Sequence, residues 1–66
     1  MRTGTIKFFN IDRFFGFIIT DKGDVFFHGK DCDFDPAELK PGTKVQFEDG
    51  IDKKSERVRA EEVKLI

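Results

Sequence analysis

Arg13-Phe14-Phe15-Gly16-Phe17-Ile18-Ile19-Thr20-Asp21-Lys22-Gly23-Asp24-Val25-Phe26-Phe27-His28 is the stretch whose reading decides the fold. Two runs rich in aromatic and β-branched residues flank Asp21-Lys22-Gly23-Asp24, a strong hairpin signal. Residues 15–20 and 25–28 are therefore predicted to be paired strands. Successive side chains of a strand point to opposite faces. Phe15, Phe17, Phe26 and His28 then share one face. Ile18, Val25 and Phe27, joined by Ile6 from the preceding strand, fill the opposite, buried face. Gly16 lets a neighbouring backbone approach the core side. With Phe8 and Phe9 just upstream, this region holds seven of the nine Phe of the 66-residue chain. That is more ring surface than a small core can hide, so some rings are expected to face water. Rings beside cations suit the faces of unpaired bases.

Working outward, residues 3–10 read as a first strand, because Thr, Ile and Phe favour the pleated state. Ile11-Asp12-Arg13 is a turn. Residues 29–42 form one long connection. Within it Asp35-Pro36-Ala37-Glu38 has an N-cap Asp, Pro at the first helical position and Glu in the first turn. Pro41-Gly42 stops that helix after a single turn. Residues 43–48 form a fourth strand with Val45 and Phe47 inward. Residues 49–56 read as a polar loop, and residues 57–65 as a fifth strand. Val58 and Ala60 share one parity and Val63 and Leu65 the other, so one face takes all four only with a bulge. A short helix over residues 59–65 is the alternative; the strand is preferred because sheet edges need a partner. Five short strands imply an all-β fold closed into a small antiparallel barrel, which removes the exposed edges. One domain over residues 1–66 is expected.

Composition narrows the function. A chain this short buries only about 60% of its unfolded surface, so it has no room for a cleft between lobes. One cysteine excludes an internal disulfide and a Cys-based metal cage. A reducing, cytoplasmic setting fits best. No apolar run resembles a signal peptide or reaches the roughly 20 residues of a membrane span. Net charge is −1, which disfavours a strongly phosphate-driven binder. The charge is unevenly placed, however. Residues 1–30 hold five basic and three acidic side chains (5 − 3 = +2), and residues 31–66 seven and ten (7 − 10 = −3). A basic aromatic face with an acidic remainder follows.

Gly4-Thr5-Ile6-Lys7-Phe8-Phe9-Asn10 resembles the opening G-x-V-K-W-F-N of bacterial cold-shock proteins. Arg13-Phe14-Phe15-Gly16-Phe17-Ile18 resembles their first RNA-binding motif, K-G-F-G-F-I. Asp24-Val25-Phe26-Phe27-His28 resembles the second, D-V-F-V-H. Leu39 with Gly42-Thr43-Lys44-Val45-Gln46-Phe47 is similar to their L-x-x-G-x-x-V-x-F, and Arg59-Ala60-Glu61-Glu62-Val63 to the closing A-x-N-V. The resemblance covers nearly the whole chain. It implies a five-stranded OB-type barrel that binds single-stranded RNA or DNA with little sequence demand and acts as a nucleic-acid chaperone, with effects on transcription and translation. Carried over position by position, it implies base stacking by Phe8, Phe9, Phe15, Phe17, Phe26 and His28, charge from Lys7 and Arg13, and polar contacts from Asn10 and Asp24. Phe34 stands in the long connection, where members often carry another ring. Four positions depart from the pattern: Phe8 for Trp, Phe14 for Gly, Phe27 for Val, and Gly29 for an aromatic. The family's basic residue in the last loop has no clear match; Lys53, Lys54 and Arg57 stand near Glu56.

Other chemistry is poorly supported. Cys32 reads as a small buried hydrophobe rather than a reactive thiol. Asp31-Cys32-Asp33-Phe34-Asp35 starts like a calcium loop, yet Pro36 stands where Gly is needed and Gly42 where the bidentate Glu belongs. His28 and Cys32 are too few for zinc. No nucleophile–base set with a pocket is evident, so neither enzyme activity nor a cofactor is expected. The 51–57 charge run reads as a solvated loop. The rival reading is a protein-interaction module using the same aromatic face, since interface hot spots also favour aromatics. A monomer is expected, with a strand-swapped dimer left open.

Overall fold

The computed structural model describes residues 2–54 and 56–66. Five strands follow the reading above: β1 Arg2–Asn10, β2 Phe15–Thr20, β3 Gly23–His28, β4 Lys44–Asp52 and β5 Arg57–Leu65. They close into a barrel in the order β1-β2-β3-β5-β4. Four seams are antiparallel; the β3–β5 seam is parallel and rests on one pairing, Phe26 with Arg59. Parallel neighbours need a long connection, and residues 29–56, carrying β4, supply it.

The buried interior is Ile6, Ile18, Phe27, Leu39, Val45, Phe47, Ala60 and Val63, with Phe9, Val25, Cys32 and Phe34 packed at its edge. The expected parity of β2 and β3 is present: Ile18 and Phe27 are fully buried, while Phe15, Phe17, Phe26 and His28 are partly exposed on the other face. Gly16 is a point of close approach. A Cβ there would collide with the Phe8 carbonyl oxygen and lie 2.9 Å from the Phe27 ring. This makes room for Phe27, a larger core residue than the Val of the resemblance.

Two bulges set which side chains face in. In β1, Ile6 pairs with Ile18 and Phe8 with Phe17, so Lys7 is the extra residue. In β5, Glu61 pairs with Glu48 and Lys64 with Gln46, so Glu62 and Val63 lie opposite Phe47. Glu62 sits in the left-handed region at φ 50°. This is the bulge that the β5 parity demanded. It buries Ala60 and Val63 and leaves Val58 and Leu65 outside.

The connection holds two 3₁₀ turns, Gly29–Asp31 and Pro36–Glu38. The second has the expected cap, with the Ala37 N–H donating to the Asp35 carboxylate at 3.0 Å; the Glu38 side chain lies outside the described ones. The first was not foreseen. The loop expected over residues 49–56 is corrected in its first half. β4 runs on to Asp52, because Asp49, Gly50, Ile51 and Asp52 find antiparallel partners in Ala60, Arg59, Val58 and Arg57. Ser55 of that loop lies outside the described residues.

Candidate nucleic-acid interface

The β1 bulge, the β2 parity and the β3 parity converge on one outer face. Phe8 is turned outward by the extra residue at Lys7 and is 38% exposed. Its ring lies 5.6 Å from Phe17 and 6.2 Å from Phe15. Phe26 lies 5.8 Å from Phe17 at a steep angle and 5.7 Å from Phe15 nearly parallel. Edge-to-face and offset contacts of this kind are worth about 0.5–1.5 kcal/mol each beyond area burial. They hold four rings as a preformed surface rather than four mobile side chains. Arg13, Phe15, Phe26 and His28 line an open dish of about 490 Å³ beside it.

His28 is fixed by local hydrogen bonds. Its backbone N–H donates to the Asp31 carboxylate at 3.1 Å. Its Nδ1 accepts from the Lys30 N–H at 3.3 Å. A nitrogen that accepts carries no proton, so the neutral ring has its hydrogen on Nε2. The imidazole thus offers the dish a stacking face and a donor.

The other expected site residues fall into distinct places. Lys7 and Asp24 pair with each other, Nζ to Oδ2 at 2.8 Å, at the exposed rim. Asn10 organises the β1–β2 turn: its Oδ1 accepts from the N–H groups of Asp12 and Arg13, and its backbone oxygen accepts from Phe14 N–H. Phe9, which follows the outward Phe8, points inward and stacks on Phe27 at 5.8 Å. Phe34 packs against the core with Cys32. Neither ring joins the outer cluster. Burial, followed by the charges of Asp31 and Asp33, pushes the Cys32 thiol up to about 12. It is a protonated packing group at neutral pH.

Two features of the site were not legible locally. The first is Phe14. It adopts φ 60°, and its carbonyl accepts from Gly29 N–H at 2.8 Å. Its ring lies over Gly29, so close that a Cβ there would be 2.5 Å from it. It meets Phe9 and His28 edge-on, each at 5.7 Å. The aromatic absent at position 29 is thus replaced in space by a ring donated from position 14. The second is Arg59, brought beside Phe26 by the parallel seam. Its Nη2 lies 3.3 Å from Glu61 and 3.7 Å from Asp31. No signal within β5 marks it, because the pairing spans 33 residues from position 26 to position 59 (59 − 26 = 33).

A cluster of rings on the outer face of a five-stranded barrel has the chemistry to hold unpaired bases by their faces. Comparison with known proteins agrees. Residues 2–66 match the family model described as the 'Cold-shock' DNA-binding domain. The chain is 42% identical over 64 residues to the "Probable cold shock protein y4cH" of Sinorhizobium fredii, covering 92% of this chain and 93% of that one. It is 47% identical over 51 residues to the "Cold shock-like protein CspA" of Stigmatella aurantiaca, covering 73% and 75%. Fold, ring placement and sequence together make this chain a member of the cold-shock domain family, a nucleic-acid-binding family.

Proposed function

We propose that the protein binds single-stranded RNA or DNA, with little demand on sequence, by stacking bases on Phe8, Phe15, Phe17, Phe26 and His28. Arg13 attracts the strand. Lys7 and Asp24 meet it from the rim, exchanging their mutual ion pair for contacts to phosphate and base edge. Asn10 meets a base edge from the β1–β2 turn through its amide nitrogen. It works in the cytoplasm, as a monomer, as a non-catalytic chaperone that holds strands unpaired during transcription or translation. The observation that carries this reading is the preformed four-ring cluster with its adjoining dish. Stacking contributes roughly 1–3 kcal/mol per base. Three or four bases offset the cost of ordering a short strand and give binding that is roughly micromolar or tighter. A duplex hides its base faces, so paired substrate binds poorly.

The chain has no Trp or Tyr, so the label belongs on the nucleic acid. Fluorescence anisotropy of labelled hexathymidine and hexauridine tests the reading at about 50 mM salt, where phosphate contacts are least screened. Phe15→Ala and Phe26→Ala each weaken binding by about tenfold or more, with circular dichroism unchanged. No binding by the unaltered protein under these conditions overturns the reading and favours a protein partner for the aromatic face.

A further inference from the structure

His28 is the last ring of the platform in sequence but not in space. It shares the dish with Phe15 and Phe26, and it also meets Phe14 at a ring-centre distance of 5.7 Å and an angle of 73°. Phe14 therefore adjoins the platform through His28. Its backbone is held on both sides. The N–H donates to the Asn10 carbonyl at 2.7 Å, and the carbonyl accepts from the Gly29 N–H at 2.8 Å. At φ 60° it stands in a region that bulky residues rarely enter. A sparsely populated backbone held in place by its surroundings marks a candidate functional position.

The ring is only partly accounted for by packing. A Cβ built on Gly29 would lie 2.5, 2.5 and 2.8 Å from Cδ2, Cε2 and Cγ of Phe14. Such short distances to three successive ring atoms put Gly29 over a face of the ring. An approach along the ring plane would leave the third atom much farther than the other two. One face thus rests on glycine backbone, and the bare hydrogen at position 29 is what admits it. Phe14 nevertheless keeps 38% of its surface in water, the same as Phe8. The face turned away from Gly29 is the one left to the solvent.

We propose that Phe14 is a further base-stacking residue of the single-strand site, taking on its outward face the base that follows the one on His28. The occupant follows from continuity with the dish and from shape. A flat apolar plate, one ring wide and backed by main chain, suits a base and carries no charge to hold a phosphate. Every base has such a face, so the added position tolerates any sequence. The inference rests on the single-strand reading above but is separable from it, because that reading needs the four-ring cluster alone.

A length series tests it. Anisotropy of labelled thymidine oligomers of three to seven nucleotides is measured with the unaltered protein and with Phe14→Gly, which suits the left-handed backbone. Trithymidine, held by the four-ring cluster, binds both alike. Affinity rises with each added base until the rings are full. In Phe14→Gly it levels off one nucleotide sooner, so that heptathymidine binds about tenfold more weakly than to the unaltered protein. Phe14→Trp gives a direct reading, because the chain has no Trp or Tyr of its own. The new indole's emission is quenched by heptathymidine and unmoved by an abasic strand of the same length. Equal loss at every length, with circular dichroism intact, overturns the proposal, since Phe14 then only braces the cluster. No loss at any length, or an indole left bright by bound heptathymidine, also overturns it and leaves the ring reading standing. Should Phe14→Gly lose its circular dichroism, the indole of Phe14→Trp decides alone. Failure of hexathymidine and heptathymidine to bind the unaltered protein removes both readings together.

Discussion

Phe14 shows how one side chain can work against its own backbone. A non-glycine residue at φ 60° carries a cost of roughly 1–2 kcal/mol. The ring offsets that cost by covering Gly29 and meeting Phe9 and His28 edge-on. Phe14→Ala loses the ring and keeps the backbone cost. Phe14→Gly loses both. The usual order of Ala over Gly therefore reverses, and Phe14→Gly is the more stable variant by about 1 kcal/mol in urea denaturation. Gly29→Ala, which collides with the ring in the native background, becomes tolerable once the ring is gone. A double-mutant cycle registers this as a coupling of about 1 kcal/mol or more. Equal effects of Phe14→Ala and Phe14→Gly would contradict the account. The residue identities placed a ring at this turn, but its direction is set by the 29–31 turn, which is distant in sequence.

At the level of strands, alternation carried most of the information. Phe15, Phe17, Phe26 and His28 were separable from Ile18 and Phe27 by counting in twos. The conflict of parity in β5 was visible before its resolution. Val58 and Ala60 disagreed with Val63 and Leu65, and the chain resolves this by inserting Glu62. The same counting could not tell which of Phe8 and Phe9 turns outward, because the β1 bulge depends on pairing with β2. Nor could it extend β4 past Glu48. Asp49, Gly50 and Asp52 have poor strand preference, and only the partner strand holds them extended. The bulge offers a clean test. Among the described residues the Glu62 side chain makes no hydrogen bond or ion pair, yet Glu62 holds a left-handed backbone at φ 50°. Glu62→Gly relieves it and raises stability by about 0.5–1 kcal/mol, read as a higher urea midpoint at unchanged slope. A lower midpoint would show that the Glu62 side chain matters more than its backbone.

The whole molecule divides its charge as the sequence suggested. Arg13 adjoins the rings. Asp31, Asp33, Glu48, Glu61 and Glu62 gather with Lys30 and Lys64 around a hollow between the connection, β4 and β5, which shares Lys30 and Glu61 with a groove that runs on from Phe26 and His28. A low total charge is therefore compatible with a local attraction for phosphates. What composition could not supply was the placement of Lys30, Lys53 and Arg59 at the end of the rings, since that depends on how the barrel closes. The closure has its own consequence. A cylinder joined along one side by the Phe26–Arg59 rung and, beyond β3, by the Cys32–Val63 bridge is a clasp, and thermal opening concentrates where the rungs are fewest. Deuterium uptake at the amides of residues 25–27 and 58–60 should outpace that of the many-runged β1–β2 pair. An oligonucleotide lying across Phe26 towards Arg59 bridges the clasp, slows that uptake and couples occupancy to the integrity of the shell. The protein's grip on a strand and its own wholeness would then rise and fall together.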